Sequence, residues 1–232
     1  MADTTPKVPE TPLILHHLNN SRSQRILWLL EELNVNYEIK FYQRQPDMMA
    51  PKELKDVHSL GKSPVITDGR HTIAESGAIV EYLVSRYGNG KWRPAEGTDE
   101  QLQYTYWLHT AEGSLMLPLL LTLILGAAIQ ETPFLVRLVP YIIRREINTR
   151  MIEPNLKAQY ELIEEHLSKN EWFAGSQISG ADIQMVFPID ITAGQMDKFI
   201  GEHTRAWLEK VRSRPAYIKA MEKGGPFDMQ KL

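Results

Sequence analysis

An α/β segment followed by an all-helical segment is the architecture that the sequence predicts, on three observations. Short apolar runs of strand length alternate with helical patterns from Leu13 to Gly88. A cluster of turn formers, Gly88-Asn89-Gly90 with Pro94 and Gly97 close behind, then interrupts the chain. Beyond that cluster only helical periodicity is found. The expected division is a disordered tail over residues 1–12, an α/β domain over 13–88, a linker over 89–98 and an all-helical domain over 99–232. A chain of 232 residues is long enough to bury a good core as one large or two small domains.

The elements of the first domain follow in order. Leu13 to His17 is a short strand, and Asn19-Asn20-Ser21 breaks it and can cap a helix. Ile26, Leu27, Leu29, Leu30 and Leu33 supply that helix's apolar face, and it stops near Asn34. Asn36 to Tyr42 alternates like a strand, and Pro51 can start a short helix through Val57. Gly61 ends the next loop. Pro64 then opens a strand, where a residue without an N–H costs no ladder bond. Asp68-Gly69 is a hairpin turn before a second strand, and Glu75-Ser76 opens a helix. Strand, helix, strand, helix, hairpin and helix is the thioredoxin-like order.

In the second domain, Asp99 to Ala128 reads as a long helix, amphipathic at first and then wholly apolar. Thr132-Pro133 starts another helical piece, and Arg144 to Lys169 reads as one helix with a break or kink near Pro154. Ser179-Gly180-Ala181-Asp182 is a capping signature before the apolar run Ile183 to Ile191. Trp207 to Met221 completes the domain. From Gly113 to Ile129 the chain carries no charge. A spanning helix needs about 20 apolar residues, so this run is at the short limit, and Pro118 and Gly126 weaken it further. The expectation is a central helix packed on several sides, with peripheral membrane attachment left open.

Composition narrows the function classes. A net charge of -3 argues against a nucleic-acid-binding body, which is typically basic. The absence of cysteine removes disulfides, thiolate metal sites and CxxC redox chemistry, so a thiol reaction must borrow its sulfur from a substrate. No signal-peptide pattern opens the chain, and a cytoplasmic location is the default expectation. Gly61-Lys62-Ser63 mimics the end of a phosphate-binding loop, but Asp56 stands where the first glycine is required. His16-His17 and His109-x-x-Glu112 each offer two metal ligands, too few for a site, so no metal is expected. The arginines from Arg137 to Arg150 read as a solvated helix face, although anionic lipid can use such a face.

The stretch from Gly61 to Tyr82 carries the most information about function. An extended segment at Ser63-Pro64 and a helix N-terminus at Glu75-Ser76 would form two walls of one pocket. The helix start has unpaired N–H groups and a positive dipole end, which suits the carboxylate of a small acidic peptide. Ser63-Pro64 followed by Glu75-Ser76-x-Ala78-Ile79 resembles the glutathione-binding half of the cytosolic glutathione transferases, closest to fungal and bacterial members with an active-site serine. The resemblance covers nearly the whole chain after Pro12. It implies a thioredoxin-like domain followed by an all-helical domain, a homodimer, glutathione as co-substrate, and a cis bond before Pro64. It further implies that Lys62, Ser63, Pro64, Glu75 and Ser76 bind glutathione, with Glu75 on the ammonium and Ser76 on the α-carboxylate of the γ-glutamyl end. Lys52 and His58 are weaker candidates for the glycyl carboxylate, since a surface role suits both.

Ser21, four residues before Arg25, matches the spacing of the active serine in serine-type members of that family. Its hydroxyl can donate a hydrogen bond to a sulfur beside a helix N-terminus, and both effects favour a thiolate. A plain helix N-cap is the competing reading, and Asn20 and Ser23 are rivals for the catalytic place. Arg22 and Arg25 would add positive potential, although arginines early on a helix are more often solvated. Tyr104, Trp107, Leu108, Ala111, Leu115 and Met116 fall at helical spacing and can line a pocket for a hydrophobic electrophile, or simply form core. The expected reaction is attack of bound glutathione thiolate on an electrophile or a hydroperoxide. A non-catalytic ligand-binding or regulatory protein of the same fold is the alternative. The family reading also makes Ser179 and Asp182 a buried capping box with a structural role.

Overall fold

A computed structural model describes residues 12–225. The expected tail lies outside the described residues except for Pro12. The chain divides into two compact units, one holding the described residues up to Tyr87 plus the segment from Pro215, the other running from Gly88 to Arg214.

The first unit is built on a four-stranded sheet of order β2-β1-β3-β4, with β1 Leu13–Leu18, β2 Tyr37–Tyr42, β3 Val65–Asp68 and β4 His71–Ala74. β1 pairs parallel with β2 and antiparallel with β3, and β3 pairs antiparallel with β4. Near-continuous burial along β1 is what a central strand covered on both faces requires. Helix α1 (Ser23–Glu32) connects β1 to β2, the short α2 (Leu54–Val57) follows, and α3 (Ser76–Tyr87) leaves the hairpin. Gly69 has φ +57°, which the tight turn between β3 and β4 demands.

The last helix, α10 (Pro215–Gly224), groups with this unit and not with the helical segment of 99–232. Its side chains fit the flank of α1: the Tyr217 and Trp28 rings meet edge-on at 5.6 Å, and Gln24 reaches Met221. Lys219 and Lys223 both pair with Glu31. Burial pushes the Glu31 carboxyl up, but hydrogen bonds from Lys219, Lys223 and Tyr37 together hold it below the usual carboxylate range.

The second unit is helical. α4 (Asp99–Thr110) runs into α5 (Met116–Glu131), and α6 (Leu138–Ile147) runs into α7 (Glu153–Leu167). Each junction is one π-type turn, at Ala111–Leu115 and Asn148–Ile152, shortly before Pro118 and Pro154. A proline ring collides with the carbonyl four residues back, and widening that turn relieves the clash without ending the helix. The expected kink at Pro154 is thus a local change of winding. Helix α8 (Gly180–Gln195) is buried from Gly180 to Thr192, and α9 (Glu202–Arg212) packs beside it.

Ser179 caps α8 in a complete capping box with Asp182. The Asp182 carboxylate accepts four hydrogen bonds, from the Phe173 N–H (3.0 Å), Ser179 N–H (2.9 Å), Ser179 hydroxyl (3.0 Å) and Trp207 indole (3.1 Å). Complete burial nevertheless pushes this carboxyl up to about 6.

One expectation is overturned. The uncharged run is not a central helix: in the continuous helix Asp99–Glu131, only 22% of the apolar window is buried. Within α5 only Met116, Pro118 and Leu119 are buried, and α6 has no buried residue. α5 and α6 chiefly pack on each other, so their outer faces lack the neighbours that a core position needs.

Candidate active site

Two site residues expected from the sequence, Ser21 and Ser63, meet where β1 ends. Leu18 joins them: its N–H donates to the Ser63 hydroxyl (3.3 Å), and its carbonyl accepts from the Ser21 hydroxyl (2.7 Å). Ser63 in turn donates to the His16 carbonyl at 2.9 Å, so its side chain is committed to the strand. That leaves its main chain as the part able to meet an extended ligand. The bond before Pro64 is cis, and Pro64 is buried at the head of β3.

The opening of α1 differs from that of α8. Arg22 already has helical angles and makes no side-chain cap bond, so the capping role of the competing reading falls to Ser21. The Ser21 hydroxyl does receive the Ser23 N–H at 3.3 Å. It also lies 2.7 Å from the Ser23 hydroxyl, which lies 2.8 Å from His17 Nδ1. His17 Nε2 faces the Gly224 carbonyl at 3.1 Å. A carbonyl only accepts, so Nε2 carries the proton, and Nδ1 is left to accept from Ser23. Burial lowers the His17 pKa, favouring this neutral ring. The result is an ordered chain from His17 through Ser23 to Ser21, in which the Ser21 proton can point to Ser23 or to Leu18.

Arg25 corrects the expectation of a solvated arginine. It is 1% exposed, and its guanidinium donates to the Ser76 hydroxyl at 2.7 Å, tying α1 to the start of α3. Glu75, beside it, is exposed and adopts φ +69°. A left-handed conformation is uncommon outside glycine, and such residues concentrate at functional sites. Asn20, with φ +46°, is a second case next to Ser21. Arg44, which sequence reasoning missed, holds that bend: its guanidinium donates to the Asn20 carbonyl (2.9 Å), and its N–H donates to Asn19 (2.7 Å). Burial and the neighbouring Arg22 hold the Arg44 pKa below its usual value. Arg22, Arg25 and Arg44 thus bring positive charge to a chain whose net charge is -3.

Lys62 is exposed one residue before Ser63, as is Lys52 in the preceding loop. His58 accepts from the Leu60 N–H at 3.4 Å, a local turn contact. The stripe Tyr104, Trp107, Leu108, Ala111, Leu115 and Met116 is buried in the second unit, where the Trp107 ring packs on His166 and Phe173. Those six side chains are packed as core. Among the described residues, no group of three or more His, Asp and Glu is placed to hold a metal ion.

Comparison with known proteins bears on what such a site is for. Residues 12–85 match the model of the glutathione S-transferase N-terminal domain, and residues 129–215 match that of the C-terminal domain. The chain is 39% identical over 218 residues to glutathione S-transferase 3 of Schizosaccharomyces pombe, covering 91% of this chain and 87% of that protein. A crystal structure of a glutathione S-transferase from Actinobacillus pleuropneumoniae is 32% identical with a TM-score of 0.76, over 95% of this chain and 96% of that one. A glutathione transferase homologue from Lodderomyces elongisporus, solved with two GSH per subunit, shares the fold at 19% identity and a TM-score of 0.72. That match covers 92% of this chain and 99% of that one.

Proposed function

We propose a glutathione transferase activity for this chain, which belongs to the glutathione S-transferase family. Glutathione is the co-substrate, and its thiolate attacks a hydrophobic electrophile. A carbon–sulfur bond forms as the leaving group departs, and the thiol proton has already passed to solvent. The observation that carries the reading is that Ser21 and Ser63 meet at the end of β1 while Arg25 of α1 holds Ser76 at the start of α3, all within the matched N-terminal domain.

In this proposal Ser21 supplies the hydroxyl that steadies the sulfur. A hydroxyl hydrogen rotates freely, so Ser21 can turn from the Leu18 carbonyl to a thiolate, leaving Ser23 and His17 to hold its oxygen in place. The Ser63 main chain would meet the cysteinyl part of the tripeptide. Glu75 would pair with its ammonium, and the start of α3 at Ser76, backed by Arg25, would take the γ-glutamyl carboxylate. Lys62 would lie along the same end.

Magnitudes limit what thiol activation explains. A free thiol near pKa ~8.5 is roughly 3% ionised at pH ~7, and a drop of about two units makes it roughly three-quarters ionised. Each thiolate becomes weaker by roughly eightfold, so the net gain is only about threefold. Positioning of the electrophile must contribute much of any acceleration. A homodimer is part of the proposal, by family resemblance, and sedimentation equilibrium checks it.

Conjugation of glutathione to an activated aryl halide tests the proposal. The wild type should turn over and show saturation in glutathione. Ser21→Ala should lose most turnover while still binding the tripeptide. Binding without turnover on several electrophiles and a hydroperoxide would favour a ligand-binding role instead.

A further inference from the structure

The hairpin of α5 and α6 offers a surface that the transferase reading does not use. Its tip is apolar and projects: Phe134 is 82% exposed and Leu135 is 92% exposed, and Leu138 and Val139 continue the surface. We propose that this tip docks the protein on an anionic lipid surface, inserting shallowly without spanning the bilayer.

Three observations point to lipid. The first is how the tip treats its own backbone. The last four carbonyls of a helix have no intrahelical partner, and in water they need none. At the end of α5 the Ala128 carbonyl accepts from the Thr132 hydroxyl (2.6 Å), and the Ile129 carbonyl accepts from the Thr132 N–H (3.3 Å). The Gln130 carbonyl accepts from Arg137 at 3.4 Å, and the Thr132 carbonyl accepts from the same guanidinium at 3.2 Å. These bonds suit a medium without water, although Thr105, Thr110 and Thr122 make the same hydroxyl bond to the carbonyl four residues back away from the tip.

The second observation is spacing. Arg144 and Arg145 sit about seven residues beyond Leu138 on α6, roughly 10 Å along a helix. Interfacial helices bury their apolar part by about 5–10 Å, which would leave both guanidinium groups at the level of the lipid phosphates. The helix Asp99–Glu131 is long and apolar enough to cross a membrane by length and composition, but its part up to Leu119 is held in the unit, which leaves about 12 residues, roughly 18 Å, too short for a span.

The third is charge. Between Leu117 and Arg150 the chain has four arginines against two glutamates, and Glu146 is paired with Arg150. A symmetric self-contact would set this positive patch against itself, whereas anionic headgroups complement it.

Flotation of the full chain with phosphatidylcholine vesicles, with and without phosphatidylserine, tests the inference. Binding to the phosphatidylserine vesicles should exceed binding to the neutral ones by at least tenfold and should weaken with salt. Arg144→Glu with Arg145→Glu should weaken it by more than the roughly fivefold expected per arginine lost. Leu135→Glu with Val139→Glu should abolish it. Leu135→Glu with Val139→Glu should keep the wild-type unfolding midpoint, since both positions are exposed, and the midpoint of the arginine variant, where Arg144 is half-buried, is measured beside its binding. No binding by the wild type, or binding indifferent to both variants, overturns the proposal. So does a dimer that Leu135→Glu dissociates in the absence of any vesicle binding, which would make a second copy the occupant. The outcome is independent of the conjugation assay, so failure of one leaves the other standing.

Discussion

Two serines precede apolar helices in this chain, and the structure uses them differently. Ser179 caps α8 and gives two of the four hydrogen bonds that the fully buried Asp182 carboxylate accepts, so that helix start is closed inside the unit. Ser21 receives the Ser23 N–H at the start of α1, but its hydroxyl also belongs to a chain of movable protons ending at His17. A closed cluster holds structure together. An opening with rotatable donors, bordered by two left-handed non-glycine residues and three arginines, can receive a ligand.

The contrast is sharpest where each opening is broken. Asp182→Ala should have the largest effect: it strands four donors in the core, and about 3–5 kcal/mol of stability should be lost. Urea unfolding measures this, and a loss under ~1 kcal/mol would dissolve the distinction. Ser21→Ala should do the reverse, cutting conjugation near pH ~7 by roughly threefold, about 0.65 kcal/mol of barrier, with a small change in the unfolding midpoint. Equal damage to stability would make Ser21 structural too. Ser179→Ala should cost about 1–2 kcal/mol, because Asp182 keeps its other partners.

A further effect concerns pH. Asp182 titrates at about 6 when folded, against 3.8 for the ordinary carboxyl. Its folded pKa is raised, so its contribution is fully present below the unfolded pKa and declines as pH rises from about 4 to about 6. The slope cannot exceed about 1.4 kcal/mol per pH unit for one proton. Denaturant midpoints across that window should show the decline in the wild type and lack it in Asp182→Asn.

Much of this was legible before any coordinates. The succession of strands and helices along the chain, the Asp68-Gly69 turn and the Ser179-Asp182 box are local signals, written in residues close in sequence. Ser63-Pro64 and Glu75-Ser76 were legible through resemblance. What escaped were partnerships across distance. Nothing near Arg25 announces that Ser76, on α3, will draw it into the interior, and nothing near Arg44 marks it as the clamp on Asn20. The same holds for α5 and α8. Both are 16-residue apolar helices containing a proline, yet one is buried along most of its length and the other mainly exposed. Composition sets how much a helix gains from burial; the neighbours decide whether burial occurs. Proline positions were read correctly as disturbances, but the π-type turns that absorb them depend on the helix continuing on both sides.

The most direct test of the central claim is the thiolate absorbance of glutathione bound to the protein, followed against pH. The account predicts a midpoint about two units below the ~8.5 of a free thiol in the wild type, moving back up in Ser21→Ala. An unshifted midpoint in the wild type, or a lowered one that Ser21→Ala leaves in place, would contradict it.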